Sequence, residues 1–253
     1  MAIASLKAIV DFCDRELRLD TIQDYEGAHN GLQVENDGRV RRIAAAVDAS
    51  LATVKLAIKA EADLLVVHHG LFWGATVPWT GRRRELLRLL LEHNLAVYSA
   101  HLPLDMHEQW GNNARLARAL GWRKCTPFFK WKNQCLGLET RLRLPLLDLV
   151  RQVERVVGGP VKVIPGGPEI CRRVGLVTGG AGGELKLAAA EGVDTFITGE
   201  GPHWTYALAE ECGLNVLYAG HYATETFGVK ALAEALSRRF KVPWVFLDHP
   251  TGL

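Results

Sequence analysis

Histidine and carboxylate side chains follow several apolar segments of this 253-residue sequence, at the points where predicted strands end. Imidazole is a common ligand of zinc, iron, nickel and cobalt, and a carboxylate can bridge two such ions. No cysteine lies among these segments, so a closed thiolate zinc site is not expected. The sequence therefore predicts a divalent-metal site built from strand ends. The candidate residues are His68, His69, His101, Asp105, Glu200, His221 and Glu225.

A single histidine at a strand end usually has a structural role, so it is the group of candidates taken together that indicates a metal site. His221 and Glu225 are four positions apart, and they share one face if a helix begins there. His68 and His69 are adjacent, and both can serve a site if the chain bends at Gly70. The roles of His101 and Glu200 stay open, because either can bind metal directly, orient another ligand or transfer a proton.

An internal repeat links the candidates. Residues 42–47 resemble residues 173–178, which lie 131 positions later, and 62–70 falls on 193–201 at the same spacing without a gap. Residues 98–101 then align with 218–221 at a spacing of 120, which pairs Asp105 with Glu225. A duplicated fold with the site between its halves is the simplest interpretation.

Strand and helix patterns alternate along the chain, which favours layered α/β architecture with largely parallel strands. We predict two pseudo-symmetric α/β lobes, 1–126 and 127–253, with a metal site in the cleft between them. The C-terminal helix is expected to pack back on the first lobe. Predicted strands cover 42–47, 64–67, 95–100, 135–142, 161–164, 173–177, 195–198, 214–219 and 246–247. Predicted helices cover 4–17, 52–62, 84–93, 112–120, 145–157, 184–191, 203–212 and 224–239.

Composition excludes several classes of protein. Hydrophobic residues make up 48% of the chain and charged residues 23%, with a net charge of +2, so neither nucleic acid nor a membrane is an expected partner. No apolar run reaches about 18 residues, and the N-terminus lacks the pattern of a signal peptide. The five widely spaced cysteines predict reduced, mostly buried thiols in a cytoplasmic protein.

Six short segments, spread from one end of the chain to the other, carry most of these residues in a specific order. They are NGLQV at 30–34, VHHGLFW at 67–73, HLPLD at 101–105, GNN at 111–113, TGE at 198–200 and GHYATE at 220–225. Together they resemble the dinuclear-metal family of GTP cyclohydrolase 1 type 2 homologues, also called the Nif-three-like family. The chain length resembles that of the compact members, which lack an inserted middle domain.

The resemblance implies two α/β lobes with two divalent ions, from zinc, iron, manganese, nickel or cobalt, in the cleft between them. It implies that His69 and Asp105 hold one ion, that His68 and His221 favour the other, and that Glu225 bridges the two. It also implies a ring-shaped homohexamer with its sites facing the central cavity. One departure from the family pattern is His29, which stands where a proline is often expected; it leaves the ligands untouched but can change the entrance of the cleft.

Two functions follow from these expectations. The first is a metal-dependent hydrolase of a small molecule, either a nucleotide or a phosphoester, with His101 or Glu200 as the proton shuttle. The alternative is a non-catalytic protein that binds metal or delivers it to partners, because the same ligands serve storage and catalysis. A ring around DNA is not supported by the net charge of +2.

Two further patterns have both a functional and a structural interpretation. The glycine-rich segment 178–183 lies between a predicted strand and a predicted helix, where backbone N–H groups can bind phosphate. It matches no phosphate-binding motif, so a tight turn with close packing is favoured. Trp73, Trp79 and Trp110 follow candidate segments and can stack on bases, or can simply fill a core or an interface.

Overall fold

The computed structural model describes residues 3–74 and 77–253 and has a mixed α/β fold. The predicted α/β class is thereby confirmed. The chain forms two compact units, each made of two pieces of sequence. The first comprises Met1–Trp110 and Gly228–His249, and the second comprises Gly111–Phe227 and Pro250–Leu253. Relative to the predicted continuous lobes 1–126 and 127–253, residues 111–126 fall in the second unit and residues 228–249 in the first.

The helices and strands of the described chain are numbered in sequence order. The strands are β1 (Ala4–Ser5), β2 (Gly31–Val34), β3 (Arg39–Val40), β4 (Ile43–Asp48), β5 (Leu64–His69), β6 (Ala96–Ser99), β7 (Thr126–Trp131), β8 (Gln134–Pro145), β9 (Lys162–Pro165), β10 (Ile170–Leu176), β11 (Thr195–Thr198), β12 (Asn215–Tyr218) and β13 (Trp244–Phe246). The helices are α1 (Leu6–Glu16), α2 (Leu51–Lys59), α3 (Gly81–Glu92), α4 (Leu102–Asp105), α5 (Asn112–Ala119), α6 (Leu146–Val157), α7 (Leu185–Ala190), α8 (Thr205–Glu211) and α9 (His221–Phe240), with a 3-10 turn at Ala181–Glu184.

The first unit is built on a five-stranded sheet in the order β13-β4-β5-β6-β2, with only β2 antiparallel to its neighbour. Both faces of β5 are buried, because Leu64 and Val66 enter one hydrophobic cluster while Leu65 and Val67 enter another. Helix α9 covers the first face through Val229, and α2 and α3 contribute to the second. The parallel strands therefore end together at one edge of this sheet, where β5 delivers its histidines.

The second unit is built on a six-stranded sheet in the order β7-β8-β10-β11-β12-β9. Only the neighbouring pairs β10–β11 and β11–β12 are parallel, so the expectation of largely parallel strands is not met in this sheet. Strands β7 and β8 are joined by two residues, 132–133, and so short a connection permits only an antiparallel pair. Val153 of α6 packs in the same cluster as Val174, Ile197 and Leu217 of the parallel strands.

One hydrogen-bond pattern recurs inside each unit. The Asp63 carboxylate accepts from the backbone N–H groups of Arg41 at 2.6 Å and Arg42 at 3.2 Å. Asp194 accepts from the N–H groups of residues 172 and 173, both at 2.9 Å. The Asp63 carboxylate thus fixes the backbone just before β4, and the Asp194 carboxylate fixes the backbone within β10. The matching positions are 131 residues apart.

Two expectations from the sequence concern membrane-spanning helices and the state of the cysteines. In the described residues, every helix is either too short or too polar to pass through a bilayer. None of the five cysteines forms a disulfide; Cys13 and Cys171 are buried, while Cys212 is exposed.

Candidate metal centre

The end of β5 presents two imidazoles in succession. His68 is fully buried, and its Nδ1 lies 2.9 Å from the backbone carbonyl oxygen of Ala100. A carbonyl oxygen only accepts, so Nδ1 donates and the neutral ring keeps its lone pair on Nε2. The ring is therefore oriented by the backbone of the chain that follows β6, with Nε2 left as the ligand atom.

His69 is held in the same way by a carboxylate. It lies opposite Asp48 in the parallel pairing of β4 and β5, and its Nδ1 is 2.8 Å from Asp48 Oδ1. The carboxylate accepts, so Nδ1 donates and Nε2 is again the ligand atom. Asp48 did not figure among the sequence candidates, although it too ends a buried strand, and the rule that selected His68 would have selected it.

His101, which follows β6, is fixed by two side chains from the segment between α1 and β2. Its Nδ1 lies 2.8 Å from Asp24 Oδ1, and its backbone N–H donates to Asn30 Oδ1 at 2.7 Å. Asn30 in turn donates to Asp24 at 2.8 Å. Burial raises the pKa of Asp24, but its hydrogen bonds and the charge of His101 outweigh burial and hold that pKa below its usual value. Asp24 is thus an ionised partner that orients His101.

These three imidazoles form a group that can hold a metal ion. Ligand atoms of His68, His69 and His101 all lie within 4.8 Å of one another. The centroid of the His68 ring is 4.8 Å from that of His69 and 4.9 Å from that of His101. Asp105, at the end of the short helix α4, is buried with Oδ2 3.4 Å from His68 Nε2. The first unit therefore brings together four of the seven predicted residues.

A glycine permits the turn that follows the two histidines. A β-carbon on Gly70 would lie 2.3 Å from Gln33 Nε2 and 2.6 Å from Ser99 Oγ. Gln33 occupies this space because its Oε1 accepts from the backbone N–H of Leu71 at 2.6 Å. Any larger residue at position 70 would displace these two side chains.

The second unit brings together the other three predicted residues. Helix α9 begins at His221, so Glu225 lies one turn later on the same face, with Oε2 3.1 Å from His221 Nε2. The Nδ1 atom of His221 lies 2.8 Å from Glu200 Oε1. Glu225 is 2% exposed, so its carboxylate is held in the interior beside this imidazole.

The glycine-rich segment packs directly against this second group. The backbone N–H of Gly179 donates to Thr224 Oγ1 at 3.0 Å, and its carbonyl oxygen accepts from the N–H of Gly199 at 2.8 Å. A β-carbon on Gly179 would lie 2.1 Å from Glu225 Oε1, and one on Gly182 would lie 2.4 Å from the Glu200 carbonyl oxygen. The close-packing interpretation thus accounts for these glycines.

Substituting Gly179 tests this packing. Gly179→Ala should lower metal affinity about tenfold or more and destabilise the fold by about 1–3 kcal/mol, because φ is +75° and the added carbon meets Glu225. The matched control is Gly183→Ala, where an added β-carbon meets nothing within 4 Å. Calorimetric melting and metal titration of both variants would measure the two effects. Equal behaviour of the two would contradict the close approach.

His221 has an unusual proton affinity in the metal-free protein. Burial lowers its pKa, but hydrogen bonds and charge from Glu225 and Glu200 outweigh burial and raise it from 6.5 to about 9. The ionised ring therefore stabilises the metal-free fold. This contribution is present in full below pH 6.5 and is lost as the pH rises through about 9.

We expect the His221 imidazole to titrate near pH 9 in a nuclear magnetic resonance experiment on chelator-treated protein. Glu200→Gln should lower that pKa, because it removes one of the two neighbouring negative charges. An unchanged titration in Glu200→Gln would contradict the contact between these side chains.

The remaining histidines of interest have local partners. His107 stacks on Trp110 with ring centroids 4.3 Å apart, and its Nδ1 accepts from two backbone N–H groups. His29 is exposed and meets the edge of Phe72.

Asp24 was not predicted from the sequence, because it lies in an irregular loop where no periodic pattern marks it.

Comparison with known proteins gives matches over nearly the whole chain. The Duf34/NIF3 family (NGG1p interacting factor 3) matches residues 4–251. A GTP cyclohydrolase 1 type 2 homolog of Deinococcus radiodurans is 44% identical over 226 residues, which cover 88% of this chain and 86% of that protein. A homolog of the same name from Archaeoglobus fulgidus is 40% identical, covering 98% of this chain and 100% of that one. The crystal structure of TTHA1606 from Thermus thermophilus is 42% identical with a TM-score of 0.89, covering 99% of this chain and 100% of that one.

Proposed function

The chain belongs to the Duf34/NIF3 family, and on that premise we propose that it binds two divalent metal ions and hydrolyses a nucleotide or another phosphoester. The bare family name leaves the reaction open, so the proposal depends on the chemistry of the side chains. Imidazole and carboxylate groups dominate both candidate groups, and no cysteine lies among the candidate ligands. That donor set suits zinc, iron, manganese, nickel or cobalt.

One observation carries the proposal: all four imidazoles are anchored through Nδ1. His68 is held by a backbone carbonyl, and His69, His101 and His221 are each held by a carboxylate. Metal-binding histidines are commonly oriented by such a partner, which fixes the ring and leaves the other nitrogen for the ion. A purely structural role would not require four rings to share this arrangement.

The assignment of ligands to ions rests on the family resemblance. We propose that His69 and Asp105 hold one ion, that His68 and His221 hold the other, and that Glu225 binds both. His101 and Glu200 are then not required as ligands. Glu200 orients His221, whereas His101 has an ionised partner behind its ring in Asp24 and lies beside His68 and His69.

When bound, the ions would act as Lewis acids and lower the pKa of water towards neutrality. His101 is the proposed proton shuttle, because Asp24 fixes Nδ1 and leaves Nε2 to exchange a proton with the substrate. Asp24 stabilises the ring while it carries that proton.

The family resemblance also leads us to propose a homohexameric ring. Light scattering on the purified protein should give a mass six times that of the chain. A monomer or a dimer at micromolar concentration would contradict this part of the proposal.

The proposed reaction can be tested with metal-loaded protein. The purified chain would be stripped with a chelator, reloaded separately with manganese, iron, cobalt, nickel or zinc, and assayed against GTP, other nucleotides and simple phosphoesters. We expect turnover with at least one metal, and none above background in a Glu225→Ala control. Failure of every metal with every one of these substrates would reject the hydrolase.

A further inference from the structure

A cavity of about 440 Å³ lies beside the histidines of the first unit. Its volume falls in the range of roughly 300–1,000 Å³ that is typical of small-molecule sites. The chain that follows β5 forms one wall through Phe72 and Trp73, and Trp79 and Arg83 come from the segment that leads into α3. His29 also lines the cavity. We call this the aromatic cavity.

The rings of the aromatic cavity support one another. Phe72 meets Trp79 edge to face, with centroids 5.9 Å apart, and meets His29 in the same way at 6.2 Å. Trp73 is 39% exposed, yet its position is fixed because its indole N–H donates to the carbonyl oxygen of Gly70 at 3.1 Å. Rigid, partly exposed aromatic faces favour a flat ring system as the ligand.

The charge of the lining favours an anion. Arg83 lies in the first turn of α3 with an exposed side chain, and it is the only permanently charged residue among the described lining residues. The same described lining contains no carboxylate. A guanidinium forms paired hydrogen bonds to phosphate oxygens, so the cavity combines a stacking surface with a phosphate partner.

The aromatic cavity adjoins the candidate metal ligands, because Trp73 lines the cavity and also contacts two of the histidines. The Trp73 ring lies 4.8 Å from that of His101 and 5.8 Å from that of His69, measured between centroids. A ligand stacked in the cavity is thereby close to the histidines.

We propose that the aromatic cavity binds the heteroaromatic ring of a nucleotide and that Arg83 binds its phosphate. That this nucleotide is the substrate rests on the proposed function; that it binds in the cavity does not. The chemistry separates a nucleotide from an apolar ligand, because only a ligand with an anionic tail gains from Arg83.

Equilibrium binding of matched probes tests the proposal. Adenosine and guanosine 5′-monophosphates, the two nucleosides and ribose 5-phosphate would be titrated into the full chain by calorimetry, before and after removal of metal with a chelator. We expect a purine nucleotide to bind in both states, the nucleosides to bind more weakly, and ribose 5-phosphate to bind weakest.

Three substitutions assign the binding to the aromatic cavity. Arg83→Ala should weaken nucleotide binding about tenfold and leave nucleoside binding unchanged. The neighbouring exposed Arg84 does not line the cavity, so Arg84→Ala is the matched control and should change neither. Trp73→Ala should weaken both probes about tenfold or more. Because Trp73 is substantially exposed, this variant should fold, and its circular dichroism melting curve verifies that.

Two results would overturn the proposal: no binding of either nucleotide, or equal losses in Arg83→Ala and Arg84→Ala. Failure of the proposed function is distinguishable, because binding in metal-free protein reports on the cavity alone. Metal content and turnover report on the ions alone.

Discussion

Glu225→Ala is expected to lose both metal ions, whereas His203→Ala should retain them. Glu225 is almost completely buried, its Oε2 lies 3.1 Å from His221 Nε2, and the family resemblance makes it the ligand common to both ions. Removing the Glu225 side chain should lower the affinity for each ion about 100-fold or more. Such a loss is comparable to that caused by removing a metal ligand or its orienting partner. His203 is exposed and lies outside both candidate groups, so it is the matched control.

Inductively coupled plasma mass spectrometry on reloaded and desalted protein would measure this effect. Wild type and His203→Ala should carry about two ions per chain, and Glu225→Ala close to none. Asp105→Ala should also lose metal, because its buried carboxylate faces His68. Full metal content in Glu225→Ala would show that this carboxylate is not a shared ligand.

His101→Ala is expected to lower turnover about 100- to 10,000-fold while leaving the metal content of the protein unchanged. The large effect on rate follows from the proposed transfer of a proton by a ring that Asp24 orients at 2.8 Å. Metal is retained because the proposed ligand set does not include His101. Asp24→Asn should show a smaller loss and an altered dependence of kcat on pH, since the ring remains but its ionised partner is gone.

His107→Ala is the matched control for this experiment. His107 is close in sequence to Asp105, but it stacks on Trp110 and accepts backbone N–H groups, so its removal should leave the rate unchanged. Loss of metal from His101→Ala would contradict the proposed role as a proton shuttle and would show that His101 is itself a metal ligand.

Local patterns in the sequence predicted most elements of the central sheets. The continuous apolar residues 64–67 predicted β5, and the stripe that includes Val229 and Leu232 predicted most of α9. Strand β7 was missed, because it contains Pro127, a residue that is depleted in strands. Strands β8 and β9 were predicted, but their antiparallel direction was not, because strand direction depends on pairing, which no local pattern encodes.

The candidate ligands were predictable because the carboxyl ends of parallel strands meet at one edge of a sheet. Residue type at those ends is visible in the sequence, so His68 and His69 could be selected. Their orienting partners were harder to find. The backbone carbonyl of Ala100 has no signature at all, and Asp24 reaches His101 from a loop 77 positions earlier.

The predicted internal duplication gains support from two recurring patterns, each inside one unit. Asp63 and Asp194 each accept from two successive backbone N–H groups at equivalent positions, and the two aspartates are separated by the repeat spacing of 131 residues. His101 and Asp105 also begin and end a single helical turn, as His221 and Glu225 do in the second unit. The duplication stays a prediction, and these recurrences are its structural basis.

Anomalous X-ray diffraction from crystals of the metal-loaded wild-type protein tests the central claim most directly. Data collected at the absorption edge of zinc or manganese should show two peaks per chain. Both peaks should lie next to Glu225, one with His69 and Asp105 as further ligands and the other with His68 and His221. A single peak bound only by His68, His69 and His101, or no peak at any of these residues, would contradict the dinuclear site.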